Sequence, residues 1–203
     1  MNYILFNGKK VHPSKIVCIG QNYMEHIKEL HNEVPKQPVL FIKPNSSISH
    51  EILSSNNDLI HYEGEISFII RSNKLKGVAF GLDLTKREVQ SELRSKGLPW
   101  ERSKSFDGSA VFSEFVMFEV NIHDLRMELS INGSLVQQGG YELMMNKPDD
   151  ILHEASTFLS FEDGDIIMTG TPKGVGPVHA GDTLIGKIFD KETLLVEGSW
   201  VVK

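Results

Sequence analysis

The sequence predicts a β-rich α+β fold with three helices. Short runs of apolar or alternating residues outnumber helical stripes, and Gly, Pro and Asn-Gly signals punctuate the chain. Strands and helices also fail to alternate as a doubly wound βαβ sheet requires. The chain has no repeat and no low-complexity linker, so its 203 residues, 1–203, are read as one domain.

Taken in order, Lys15–Gly20 reads as a short buried strand. Asn22 with Glu25 forms a capping-box pattern, and Tyr23, Ile27 and Leu30 fall at i, i+4 and i+7 of the helix it would open. Pro35 and Pro38 end that region, and residues 39–42 form the next strand, closed by Pro44. Residues 62–71 alternate like a half-buried strand, and 80–84 form a shorter one. Thr85 and Glu88 repeat the capping-box pattern before a helix running to about Lys96, with Gly97 as its stop. Residues 114–120 and 128–131 are strands, and Asn132-Gly133 is a hairpin turn into 134–138. Pro148 opens a helix with Ile151, Leu152, Ala155, Phe158 and Leu159 toward the core. Strands at 165–169 and 183–189 follow, separated by a Gly/Pro loop.

Composition narrows the function. Hydrophobic residues at 40% and charged residues at 24% are ordinary for a soluble globular chain. The net charge of −6 and the lack of a Lys/Arg run argue against nucleic acid as a partner. A net-negative protein that takes an acidic substrate must gather positive charge locally, from a metal or a few placed cations. The single cysteine excludes an internal disulfide and a Cys-His zinc pattern, and Cys18 reads as a small buried hydrophobe. The apolar stretch 1–6 is too short for a signal peptide, and no run approaches the ~18 residues of a membrane span. No membrane partner is therefore expected, and the cytosol is the expected compartment.

Four patterns carry chemistry. Glu63 and Glu65, two apart on a strand, would project side by side, opposite an apolar face of Tyr62, Ile66, Phe68 and Ile70. Two such carboxylates either face solvent or share a cation. Asp83 ends a strand before a capped helix, so it is either a helix-start carboxylate or a third hard oxygen ligand, a set suited to Mg²⁺ or Mn²⁺. His26 and Glu29, three apart, are either a surface pair or an imidazole oriented by a carboxylate. The loop 169–176, Thr-Gly-Thr-Pro-Lys-Gly-Val-Gly, can turn backbone N–H groups toward an anion or be a plain tight loop; it matches neither a Walker nor a Rossmann pattern.

Together these segments resemble the fumarylacetoacetate hydrolase family, in its short acylpyruvase and oxaloacetate decarboxylase form. The matching stretches are Cys18-Ile19-Gly20-Gln21-Asn22-Tyr23, residues 38–44, Tyr62-Glu63-Gly64-Glu65, residues 83–90, Gly97-Leu98-Pro99-Trp100, Lys104-Ser105-Phe106-Asp107 and residues 162–176. Each is loose alone; the ordered set, spanning about 16–189, is specific. The resemblance implies a β-rich roll of mixed sheets with a few short helices, commonly a homodimer. It implies Glu63, Glu65 and Asp83 as ligands of Mg²⁺ (or Mn²⁺), and His26 and Glu29 as a dyad on a lid segment. Lys104 matches a lysine that approaches the substrate, and Arg87, Gln90 and Thr171 match substrate-contacting positions. Three departures stand out. Gln21 replaces a usual Arg and removes one cation near the cleft, 71–77 is shorter than usual, and the C-terminus is brief.

The expected reaction is cleavage of a carbon–carbon bond in a small anionic 2-oxo acid, by acylpyruvate hydrolysis or oxaloacetate decarboxylation. The metal would act as a Lewis acid toward the forming enolate, with Lys104 adding positive charge. For hydrolysis, His26 held by Glu29 would deprotonate a water. Two rival readings are isomerisation or tautomerisation of an unsaturated oxo-diacid, and a non-catalytic anion-binding module built on the Gly-rich loop.

Overall fold

The computed structural model describes all of residues 1–203. It is an α+β, β-rich fold of four sheets and four short α-helices. The largest sheet runs Val39–Pro44, Lys15–Gly20, Ile166–Met168, Gly64–Arg71, Lys74–Asp83, Ala110–Phe112, Ile48–Ser49, with Val116–Met117 also paired to Lys74–Asp83. It is mixed: Ile166–Met168 runs parallel to Lys15–Gly20 and antiparallel to Gly64–Arg71. A four-stranded antiparallel sheet runs Ser134–Gly140, Leu125–Ile131, Thr183–Asp190, Thr193–Val201. A three-stranded sheet of Gly176–Pro177, Ile60–Tyr62 and Thr85–Lys86 lies beside the acidic residues.

The main core lies between the large and four-stranded sheets. Ile66, Phe68, Phe80 and Leu82 from the first are clustered with Met127, Leu129, Leu184 and Ile188 from the second. The other face of the large sheet is buried as well, under Ile4, Phe6 and Phe115 on one side and the helix Pro148–Ser156 on the other. Both faces of Gly64–Arg71 are therefore inside, and any polar residue on it must find protein partners.

Several sequence expectations change for identifiable reasons. The strand expected at 62–71 is two strands, Ile60–Tyr62 and Gly64–Arg71, broken at Glu63. Tyr62, Ile66 and Phe68 share one core as expected. Ile70 joins another cluster, because a bulge at Ile69/Ile70 reverses the alternation. The strand expected at 80–84 is Lys74–Asp83, joined to Gly64–Arg71 by a tight turn with Ser72 at φ 49° and Asn73 at φ 58°. That two-residue hairpin is the physical form of the shortened segment after Arg71.

Neither capping box forms. The first helix is Met24–Glu29 with Tyr23 at its cap, and Asn22 bonds the Asn146 and Thr169 carbonyls instead. Thr85 lies in a strand, before the helix Arg87–Ser95. The strand expected at 114–120 shrinks to Val116–Met117, and Phe158 lies beyond its helix and is exposed. The fourth helix, Glu101–Lys104, one turn long, has no apolar stripe to announce it. The Asn132-Gly133 hairpin forms as expected, with both residues at positive φ. Cys18 is a free, fully buried thiol. No helix is long and apolar enough to cross a membrane.

Candidate metal centre

Glu63 occupies the break between two strands, and Gly64 behind it has no room for a side chain. A Cβ there would sit 2.9 Å from Met127 Cε and Phe80 Cζ. The Gly64 N–H donates to Gln137 Oε1 at 2.9 Å, and the Asp83 N–H donates to the Glu63 carbonyl at 2.9 Å. These contacts set Glu63 and Glu65 at the centre of the large sheet, against Asp83 at the end of the adjacent strand. One carboxylate oxygen from each of Glu63, Glu65 and Asp83 lies within 4.8 Å of the others, and all three residues are buried. A solvated acidic strand face is thereby replaced by a buried carboxylate cluster.

Three cations attend it. Lys104 Nζ donates to Glu63 Oε2 at 2.8 Å, Asp83 Oδ2 at 2.6 Å and Thr85 Oγ1 at 2.7 Å. Arg87 binds Glu63 through Nη2 and Gln90 Oε1 at 2.6 Å through Nη1. Lys43, fully buried, donates to the carbonyls of Lys104 and Ser109, and its Nζ lies 2.8 Å from Asp83 Oδ1 without hydrogen-bond geometry. Burial works against the Glu63 carboxylate, but Lys104, Arg87 and His26 outweigh it and hold its pKa far below the ordinary value. Glu65 goes the other way: burial, then the Asp83 and Glu63 charges, push it well up, and only Gly170 N–H at 2.7 Å and the Lys104 charge favour its ionised form.

The donor set fits a divalent cation. The oxygens are hard, three carboxylates crowd one point, and Asp83 Oδ1 is buried with no hydrogen-bond partner. An added +2 charge would relieve the repulsion that raises Glu65.

His26 faces the same cleft from the helix Met24–Glu29, with Glu29 behind it. His26 Nδ1 is 3.1 Å from Glu29 Oε2. A carboxylate only accepts, so Nδ1 carries the hydrogen in this contact, which leaves Nε2 as the nitrogen free to exchange a proton. The second Glu29 oxygen accepts from Gly174 N–H at 2.9 Å. Gly174 holds φ 99°, a conformation that favours glycine. The Gly-rich loop thus spends two of its N–H groups, Gly170 and Gly174, on Glu65 and Glu29, carboxylates of the chain itself. This weakens the reading of the loop as a nest for a free anion.

The cleft is lined by His26, Glu63, Arg87, Gln90 and Lys104, with Gly20, Gln21, Leu30, Asn32, Arg94 and Trp100 around them. Thr171 is not in the lining; its hydroxyl donates to the Gly64 carbonyl and accepts from Gln137 Nε2, both at 2.9 Å. Lys43, Gln137 and Arg94 had no expected role, and Thr85 was expected only as a helix cap. Lys43 carried a signal, a charge inside an apolar strand. Thr85 was obscured by its resemblance to a cap.

The sequence model described as fumarylacetoacetate (FAA) hydrolase C-terminal matches residues 15–201. The chain belongs to the fumarylacetoacetate hydrolase family. It is 38% identical to oxaloacetate tautomerase FMP41, mitochondrial, of Saccharomyces cerevisiae, over 90% of each chain. A fumarylacetoacetate isomerase/hydrolase-type crystal structure from Oleispira antarctica superposes over the whole of both chains with a TM-score of 0.93 and 36% identity. Fumarylpyruvate hydrolase from Pseudomonas aeruginosa, solved with Mn²⁺ and pyruvate, covers 98% of this chain and 94% of its own at a TM-score of 0.85 and 26% identity. The expectation of a cytosolic protein is corrected here. The yeast relative is named mitochondrial, as are mammalian relatives of similar identity, so the short apolar stretch at 1–6 was no guide to compartment.

Proposed function

We propose that this protein is a divalent-metal-dependent tautomerase of a four-carbon 2-oxo diacid, interconverting the keto and enol forms of oxaloacetate. The observation that carries the reading is the convergence of an oriented imidazole, a carboxylate cluster and Lys104 on one cleft. The names of the relatives support it, since similar chains from Saccharomyces cerevisiae and Escherichia coli are oxaloacetate tautomerases. They favour isomerisation over the carbon–carbon cleavage expected from sequence. Cleavage keeps the support of more distant relatives such as the fumarylpyruvate hydrolase.

Glu63, Glu65 and Asp83 would hold Mg²⁺ or Mn²⁺. When bound, such an ion supplies Lewis-acid charge to the oxygens of a 2-oxo acid. In the keto-to-enol direction His26 takes a proton from C3 through Nε2, the C3–H electrons form the C2=C3 bond as the C2=O π pair moves onto oxygen, and that oxygen takes the proton back from the His26 imidazolium or from water. Glu29 keeps Nδ1–H engaged, so only Nε2 takes part and the imidazolium is stabilised as it forms. Lys104 places a positive charge beside the developing oxyanion. Arg87 and Gln90 face the substrate from the helix Arg87–Ser95, and Thr171 holds the strand break at Gly64. Exposed Leu135, Leu194 and Val201 on the outer strands of the four-stranded sheet support a homodimer.

The test follows loss of the oxaloacetate enol band in Mg²⁺ or Mn²⁺ buffer with and without protein, and measures pyruvate release from acetylpyruvate in parallel. The expected result is enol conversion above the metal-buffer background, abolished by chelation and restored by metal, with little pyruvate formed. Rapid pyruvate release without enol conversion would replace this reading with the hydrolytic one.

A further inference from the structure

The cleft continues past the carboxylate cluster along the helix Arg87–Ser95. Arg87, Gln90, Ser91 and Arg94 fall at i, i+3, i+4 and i+7, which makes one stripe on one face. That stripe and Leu30 and Asn32 opposite it wall a recess that shares Leu30, Asn32, Arg87, Gln90 and Arg94 with the lining of the metal cleft. The recess is polar, with Leu30 its single hydrophobic wall residue.

Its cations are not equivalent. Arg87 is engaged by Glu63 and Gln90. Lys104 is committed to Glu63, Asp83 and Thr85. The Arg94 side chain makes no ion pair and no hydrogen bond, although it belongs to both linings. Burial and the neighbouring Arg87 charge both work against its guanidinium, lowering its pKa. An unpaired arginine held beside a second arginine is a site of surplus positive charge in a protein whose formal charge is −6. A carboxylate bound there would gain a bidentate partner and relieve the repulsion from Arg87.

We propose that Arg94 receives the distal carboxylate of the substrate and selects 2-oxo diacids over 2-oxo monoacids. The proposal rests on the tautomerase reading for the orientation of the substrate, with its 2-oxo acid head at Glu63, Glu65 and Asp83 and its far end toward Arg94. Gln21, a neutral amide in the same lining, supplies no competing charge.

The test uses two stable ligands, lactate and malate, which share a 2-hydroxy acid head and differ by one distal carboxylate. Each is titrated calorimetrically into Mn²⁺-loaded wild type, Arg94→Gln and Arg94→Lys, and the Michaelis constant for oxaloacetate is measured alongside. Loss of a charge-assisted hydrogen bond at an exposed site is expected to weaken malate binding to Arg94→Gln by ~10-fold. Lactate should change by less than ~2-fold, and Arg94→Lys should recover part of the malate affinity, as a point charge does where a fork is lost. The Michaelis constant for oxaloacetate should rise with the malate constant while kcat holds. Equal weakening of lactate and malate, or no change in either, overturns the proposal, as does a wild type that binds malate no better than lactate. A wild type that prefers malate yet leaves the oxaloacetate enol untouched overturns the tautomerase reading instead, and the variant titrations still judge Arg94.

Discussion

Asp165 is fully buried and accepts five hydrogen bonds. Oδ1 takes Ser14 N–H at 2.9 Å, Ser14 Oγ at 2.8 Å and Lys15 N–H at 3.1 Å; Oδ2 takes Lys15 Nζ at 2.5 Å and Glu162 N–H at 2.9 Å. It ties the start of Lys15–Gly20 to the turn that feeds Ile166–Met168, the two parallel strands beneath the metal cleft. Asp165→Asn keeps the volume and replaces one oxygen by an NH₂ group. Turned one way, the amide loses the two donors at Oδ2; turned the other, it loses the three at Oδ1. At least two bonds to a charged acceptor disappear. Lys15, partly exposed, can turn to water, but the backbone N–H groups cannot follow it. With ~1.5–3 kcal/mol for a hydrogen bond to a charged group, and Lys15 discounted for solvation, the loss should be ~2–4 kcal/mol. Urea unfolding at neutral pH measures it. Burial opposes the Asp165 charge, yet the Glu162, Lys15 and Ser14 donors outweigh it and depress the pKa. A depressed carboxyl contributes stability above its unfolded pKa, about 3.9, and loses it as pH falls through the folded value. The gap between wild type and Asp165→Asn should therefore be constant near neutrality and close below about pH 4. A gap under ~0.5 kcal/mol at neutral pH, or one that persists in acid, would refute the reasoning.

Glu65→Gln should lower Mg²⁺ and Mn²⁺ affinity while the melting temperature holds or rises, because the variant removes a crowded charge; unchanged affinity by calorimetry counts against the cluster as a metal site. His26→Asn should leave metal binding intact and slow enol conversion by ~10²–10⁴-fold, which stopped-flow absorbance reads directly. Gly64→Ala should cost ~1–3 kcal/mol by forcing a methyl against Phe80 and Met127, and should weaken metal binding as Glu63 and Glu65 shift; a fully stable variant with native affinity would show that the break at Glu63 does not depend on the missing side chain. Light scattering should report twice the mass of one chain, and a monomer at micromolar concentration rules the dimer out.

Strands with strong local patterning were legible in the sequence. Lys15–Gly20 has the expected bounds, and the Asn132-Gly133 hairpin follows from turn chemistry alone. Elements whose reason is tertiary were not. The one-turn helix Glu101–Lys104 is placed by its packing, and the break at Glu63 lies beside a glycine whose site is crowded by Phe80, Met127 and Gln137, residues distant in sequence. The acidic cluster was legible as residue types, but spacing alone could not separate a solvated face from a buried one. That distinction came from the layers above and below the large sheet, which burial of Ile4, Phe115 and Ile151 completes. Cap patterns misled at Asn22 and Thr85 because each side chain has a better long-range use.

Glu29 divides its two oxygens between His26 and Gly174, and Gly170, four residues earlier in the same loop, grips Glu65. One loop therefore holds both the carboxylate that orients the imidazole and a carboxylate of the acidic cluster, so a shift of the loop would disturb the two together.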